Sequence, residues 1–147
     1  MNPIRLLLAI VAVFAGVWVT DYLVHEIWLK SIYQANAALW RPETDIEAHI
    51  GWLFLGQFLF TLTFVWIWAT GFATRRTLAR ACIYGVAMGV FRQAYTFILY
   101  AVQPLPKDLA VKWVFVGIAQ GLLMGLLVLV YKSKPSAPAP PPQAPIA

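Results

Sequence analysis

Four long apolar stretches, separated by short polar segments, dominate the pattern along this chain. They cover roughly residues 4–29, 46–70, 78–102 and 109–131. A helix needs about 20 apolar residues to cross the hydrocarbon layer of a bilayer, which is about 30 Å thick. The pattern therefore predicts an all-α, polytopic membrane protein, with four transmembrane helices in an antiparallel bundle that forms a domain over residues 1–131.

Local signals accompany two of the predicted helix starts. Asn2 and Pro3 suit the N-cap and first helical positions of the first span. Thr44 and Glu47 have the spacing of a capping box, which predicts that the second span begins there.

The composition agrees with a chain that lives in lipid. Hydrophobic residues make up 61% and charged residues 12%, and the mean hydropathy is +0.72. A soluble domain has about 45–50% apolar and roughly 25% charged residues. These values exclude a cytosolic globular enzyme, a nucleic-acid-binding domain and a disordered chain, and the bilayer is the expected partner. The single cysteine, Cys82, excludes a disulfide framework and a cysteine-based metal site.

The distribution of basic residues predicts the orientation. The amino terminus, the second loop and the tail carry six Lys and Arg residues, and the first and third loops carry four. Cytoplasmic segments are enriched in Lys and Arg, so both termini are expected to be cytoplasmic. The tail, residues 132–147, contains six prolines and is expected to be a disordered extension.

A weak internal similarity relates the two halves of the domain. Gly-Val-aromatic-x-x-x-Tyr occurs from Gly16 and again from Gly89, and Trp-x-Phe-x-Gly occurs from Trp52 and again from Trp113. A parallel repeat of two helical hairpins explains both matches, and chance in a narrow composition is the alternative. Under the repeat, the first loop has about a dozen residues that its counterpart lacks.

Small residues recur every fourth position in three spans. Such faces allow close helix contact in lipid, within one chain or between copies. The glycines concerned are Gly16, Gly85, Gly89, Gly117, Gly121 and Gly125.

Every predicted span carries a polar residue near mid-bilayer depth. At 1.5 Å per residue, Arg92 lies about 18 Å along its helix from Arg80. A guanidinium in hydrocarbon needs a partner, and Asp21 is the carboxylate at a reachable depth. We therefore predict an Asp21–Arg92 ion pair, surrounded by the three remaining members of this layer, Gln57, Gln93 and Gln120.

Two roles for this charged pair stay open. It can fix the register of the helices, or Asp21 can alternately bind a proton or cation and release Arg92.

A second group of polar residues lies towards the first loop. His25, Glu26 and His49 are candidate metal ligands, because imidazole and carboxylate suit zinc, iron or manganese. No motif such as H-E-x-x-H accompanies them, and each suits an interfacial position, so no metal or other cofactor is expected. A pH-sensing role is a further option for His25.

The first loop is aromatic, with Tyr33, Leu39 and Trp40. Such a segment is expected to lie along the membrane interface, and a docking surface for a partner is the alternative.

Three short stretches, at residues 21–25, 39–42 and 100–106, read DYLVH, LWRP and YAVQPLP. They resemble those of small four-span bacterial inner-membrane proteins of no established function. The resemblance covers most of the chain except its tail, and it implies a fold and a bacterial inner-membrane location without an activity.

No phosphate-binding loop, nucleophile elbow or haem-type motif is present. We therefore expect a non-enzymatic protein that acts by association, as an accessory or assembly subunit of another membrane protein or as a small homo-oligomer. The alternative is a small proton or cation transporter or channel that uses Asp21 and Arg92.

Overall fold

The computed structural model describes residues 2–131, and no strand occurs within them. This part of the chain forms six α-helices: α1 (Pro3–Asp21), α2 (Lys30–Ala35), α3 (Glu43–Ala48), α4 (Ile50–Ile67), α5 (Leu78–Val102) and α6 (Lys107–Leu127). The proline-rich tail predicted for residues 132–147 lies outside the described residues.

Short π-helical and 3₁₀ turns extend three of these helices. The resulting spans are Pro3–Trp28, Ile50–Arg75, Leu78–Val102 and Lys107–Val130, and all four are long and apolar enough to cross a membrane. The fold class predicted from the sequence is confirmed.

The two predicted helix starts have different outcomes. Asn2 caps α1, since its side-chain oxygen accepts a hydrogen bond from the Arg5 backbone at 3.2 Å. The prediction that a capping box at Thr44 begins the second span is wrong. Thr44 lies inside the short helix α3, which follows Pro42 without a side-chain cap. The second span begins later, at Ile50, after a break at His49.

Helices α5 and α6 form the closest pair in the bundle, because glycines let their backbones meet. A Cβ atom on Gly121 would lie 2.5 Å from the Gly85 carbonyl oxygen and 2.7 Å from the Cα of Gly89. Gly117 and Gly125 likewise lie against α5. The small-residue faces of these two helices are thus occupied within the monomer.

The pairing of α1 with α4 is different in kind. Trp18 stacks on Phe54 with ring centroids 4.3 Å apart, and Phe14 meets Phe58 edge to face at 6.2 Å. Gly16 does not face α4, since the atoms nearest to a Cβ placed there belong to Leu127 of the last span. The two hairpins therefore pack differently, and an internal repeat stays a prediction.

Contacts between the hairpins close the bundle into a ring of antiparallel neighbours. Helix α1 packs on α6, and α4 reaches α5 through Tyr84, whose hydroxyl donates to the Phe64 carbonyl oxygen at 2.6 Å. We call the end of the bundle that carries Pro3 the amino-terminal end, and the opposite end, which carries residues 30–49, the first-loop end.

The apolar core fills the amino-terminal half of the ring. It includes Val17, Phe64, Trp68, Tyr84 and Met124. Between 17% and 33% of each span's most apolar window is buried inside the protein, so most of the apolar surface faces outward, as a lipid environment requires.

A substitution at the α5–α6 contact tests this packing. Gly121→Ala forces its new methyl group into the α5 backbone and should lower the free energy of unfolding by about 1–3 kcal/mol. Gly56→Ala is the matched control, because nothing lies within 4 Å of a Cβ at that helical position. Thermal unfolding in detergent compares them, and equal stability of the two variants would contradict the close contact.

Candidate functional site

All four spans contribute a side chain to one hydrogen-bonded layer above the apolar core. Asp21 comes from α1, Gln57 from α4, Arg92 from α5 and Gln120 from α6. The depth estimates from the sequence predicted this layer.

Gln120 occupies the centre of the layer and is 5% exposed. Its amide nitrogen donates to Asp21 Oδ1 at 2.7 Å and to Thr20 Oγ1 at 2.6 Å. Its amide oxygen accepts from Arg92 Nη1 at 2.5 Å. Both donors and the acceptor of this side chain are therefore used.

The direct Asp21–Arg92 ion pair predicted from the sequence is not formed. Among the described residues, the ion pairs within 4.0 Å are Arg41–Asp45, His49–Asp45 and Lys112–Asp108, all outside this layer. Gln120 separates the two charges because an amide offers a donor to one and an acceptor to the other. The carboxylate and the guanidinium thus belong to one network without touching.

Two amides hold the Asp21 carboxylate. Gln120 binds one oxygen, and Gln57 donates to the other. Gln93, which was expected to join these bonds, instead accepts from Thr96 at 2.7 Å and lies against Gly117.

Arg92 is held from below by an aromatic ring. Its guanidinium carbon lies 4.8 Å from the centroid of Phe60, a distance at which a cation–π attraction operates. Of the five N–H donors of a guanidinium, one is used by Gln120, and no other protein acceptor binds Arg92 within the described chain. The remaining donors are available to a ligand or to water.

Asp21 and Arg92 line the same pocket, which has a volume of about 210 Å³. The other side chains around it are mostly polar or aromatic. They belong to His25, Gln93, Tyr95, Thr96, Trp113, Val116 and Gln120.

The apolar core lies on one side of the pocket, and an aromatic cluster adjoins it at Trp113 on the other. Core residues such as Val17 and Met124 lie between it and the amino-terminal end. At the other side, Tyr33 of the first loop accepts a hydrogen bond from Trp113 Nε1 at 2.9 Å. Trp40 packs against both rings, with centroids 5.4 Å from Tyr33 and 6.0 Å from Trp113. We call Tyr33, Trp40 and Trp113 the aromatic lid.

His25 connects the lid to the pocket. Its Nδ1 lies 2.5 Å from the Tyr33 hydroxyl, and its ring stacks on Tyr33 with centroids 5.8 Å apart. The tautomer of His25 decides whether Nδ1 accepts from the phenol or donates to it, and the Tyr33 oxygen accepts from Trp113 in either case. Burial raises the pKa of Tyr33 above its ordinary value.

A π-helical segment, Tyr22–Trp28, begins directly after Asp21 and contains His25. π-Helical turns inside α-helices occur frequently at functional sites.

The candidate metal ligands lie apart. His25 binds Tyr33, whereas His49 lies against Asp45, 2.7 Å from its carbonyl oxygen. Glu26 lies on the π-helical segment and does not line the pocket. Residues 2–131 contain no group of three His, Cys, Asp or Glu side chains that could hold one metal ion.

Sequence reasoning missed the roles of Thr20, Tyr33, Thr96 and Trp113. Tyr33 had been assigned to the membrane interface, and Trp113 is a typical interfacial residue by position. The available signal was the extra length of the first loop, which marked it as the segment to inspect.

Removing the central amide tests the network. Gln120→Leu removes the hydrogen bond to Arg92 and one of the two amide hydrogen bonds to Asp21, and should lower the free energy of unfolding by about 1–3 kcal/mol. Gln103→Leu, at an exposed position after α5, should change it by less than about 0.5 kcal/mol. Thermal unfolding in detergent measures both, and a neutral Gln120→Leu would show that the network contributes no stability.

Tyr33→Phe tests the lid. The change removes the hydrogen bonds to Trp113 and His25 and should cost about 1–2 kcal/mol in the free energy of unfolding. Tyr22→Phe is the matched control, because Tyr22 is 60% exposed.

Because the pKa of Tyr33 is raised, its contribution to the free energy of unfolding depends on pH. The stabilisation by Tyr33 is complete below the ordinary phenol pKa of about 10 and is lost as the pH rises through the higher folded-state value. Ultraviolet difference titration against Tyr33→Phe measures that pKa, and an ordinary value would contradict burial of the hydroxyl.

Comparison of the chain with known protein families, with curated proteins and with solved structures gives no match.

Proposed function

We propose that this chain is a small carrier-type membrane protein that binds a proton or a cation at Asp21 and moves it across the bacterial inner membrane. Both termini are cytoplasmic in this proposal, as the distribution of Lys and Arg favours. The aromatic lid then faces the opposite side of the membrane.

One observation carries the proposal: a carboxylate and a guanidinium line the same intramembrane pocket without forming a direct pair. A pair that served only to fix helix register gains most from direct contact, because contact offsets the cost of burying both charges. Side chains of this kind inside a span mark ion or proton pathways by default.

The shape of the pocket favours a carrier over a channel. Its polar lining adjoins the apolar core on the amino-terminal side, and Trp113 of the aromatic lid forms part of its wall towards the first loop. A channel requires a continuous path, whereas alternating access requires a site near mid-membrane that opens to one side at a time.

The glycine faces do not favour the alternative function, a protein that acts by association with a second protein. The glycine faces of α5 and α6 pack on each other, so they are not available for contact with a second protein.

A flux measurement tests the proposal. Purified protein in liposomes is given a gradient of protons, sodium or potassium, and a fluorescent indicator reports flux. We expect Asp21→Asn to reduce the flux to the level of protein-free liposomes, because the substitution removes the acceptor charge. Asp108→Asn is the matched control, since Asp108 is an exposed carboxylate paired with Lys112 and should leave the flux unchanged.

Two results would contradict this function. One is no flux of any of these ions with the unaltered protein, and the other is an equal loss of flux in both variants. Thermal unfolding of each variant checks that it is folded.

A further inference from the structure

The pocket combines two opposite charges in a low-dielectric setting. Asp21 and Arg92 both line it, and their formal charges cancel. Bringing a net charge into such a site from water is costly, whereas a ligand with no net charge and opposite charges at its two ends meets a complementary field. The pocket therefore offers a dipolar ligand an opposite charge at each end, and the ammonium group of such a ligand takes the cation position at Asp21.

Arg92 selects the negative end of that ligand. A guanidinium is a planar fork that matches a carboxylate with two parallel hydrogen bonds. Four of its donors are not used by described protein groups, and the nearby Asp21 repels a doubly charged phosphate more than a singly charged carboxylate.

Asp21 selects the positive end. Its two oxygens accept one amide hydrogen bond each, and an ionised carboxylate can accept about four. The free acceptor positions suit an ammonium group.

The Gln120 amide already has the arrangement of donor and acceptor that a ligand between Asp21 and Arg92 requires. Its amide presents a donor to Asp21 and an acceptor to Arg92 across a single carbon atom. The ammonium and carboxylate of an α-amino acid are separated by a similarly short connection and point the same two kinds of group at the same two residues.

We propose that the pocket between α1, α5 and α6 binds a small zwitterion of the α-amino acid class, with its carboxylate on Arg92 and its ammonium on Asp21. The volume of about 210 Å³ restricts the ligand to a small molecule. Trp113 and Val116 provide an apolar wall for its side chain. The inference deepens the proposed function, on which it rests for transport but not for binding.

A binding experiment on the purified full-length protein in detergent tests this assignment. The probe is alanine, and the shift in thermal unfolding on its addition is the readout. Two analogues lack one charge each: propionate has no ammonium group and ethylamine has no carboxylate. We expect stabilisation by alanine and none by either analogue at the same concentration. Glycine and leucine, tested in parallel, report how much side chain the pocket accepts.

Variants assign the two ends. Arg92→Lys keeps the charge but loses the fork and should weaken alanine binding by at least about tenfold. Asp21→Asn should do the same, and Arg80→Gln and Asp108→Asn are the matched surface controls. If Arg92→Lys does not fold, Val116→Ala, which changes the wall and leaves the aromatic lid in place, should alter the preference between alanine and leucine.

The outcomes separate this proposal from the proposed function. No stabilisation by any of the three amino acids, or equal stabilisation by propionate, overturns the zwitterion site, and ion flux that depends on Asp21 would still support the carrier. Stabilisation by alanine with no flux of ions or of radiolabelled alanine supports the site and contradicts the carrier. A shift caused by added phosphatidylethanolamine, and by none of the amino acids, would assign the dipolar chemistry to a lipid headgroup and overturn the proposal.

Discussion

The cost of placing a guanidinium inside hydrocarbon governs the arrangement of this bundle. Arg92 cannot lose its proton, so its charge must be balanced by protein groups at the same depth. The surrounding groups come from the other three spans: Phe60 beneath the guanidinium, Gln120 beside it and Asp21 beyond the amide. No single helix can supply these contacts, and the charge therefore requires the ring of four helices.

Close packing of α5 against α6 makes this arrangement possible. Glycines let the two backbones approach, and the same approach brings Arg92 within reach of Gln120. Below the layer the helices bury apolar side chains, and above it they leave a polar pocket under the aromatic lid. The fold thus separates an apolar half from a half that contains a polar pocket.

The length of the apolar stretches and the depth of the polar residues were enough to predict the four spans and most of the polar layer from the sequence. Span length gave the four helices, and a rise of 1.5 Å per residue placed Asp21, Gln57, Arg92 and Gln120 in one layer. What depth cannot supply is the rotation of each helix about its axis, because spans that are apolar all round carry little information on which face points inward. That rotation decides that Arg92 meets Gln120 instead of Asp21. The fold of the first loop was also beyond reach, since its anchor, the contact of Tyr33 with Trp113, joins residues 80 positions apart.

The layer also divides along the boundary between the two hairpins. Asp21 and Gln57 belong to the α1–α4 hairpin, and Arg92 and Gln120 belong to the α5–α6 hairpin. Close backbone contact joins α5 to α6, whereas the contact of α1 with α6 depends on side chains, notably through the bonds from Gln120 to Thr20 and Asp21. The hydrogen bonds between the hairpins lie at three levels: those of Gln120 in the layer, that of Trp113 to Tyr33 in the aromatic lid, and that of Tyr84 to Phe64 in the apolar core. A ligand that bridges Asp21 and Arg92 would span the same boundary, so in the proposed carrier its binding energy would act directly on the contact between the two hairpins.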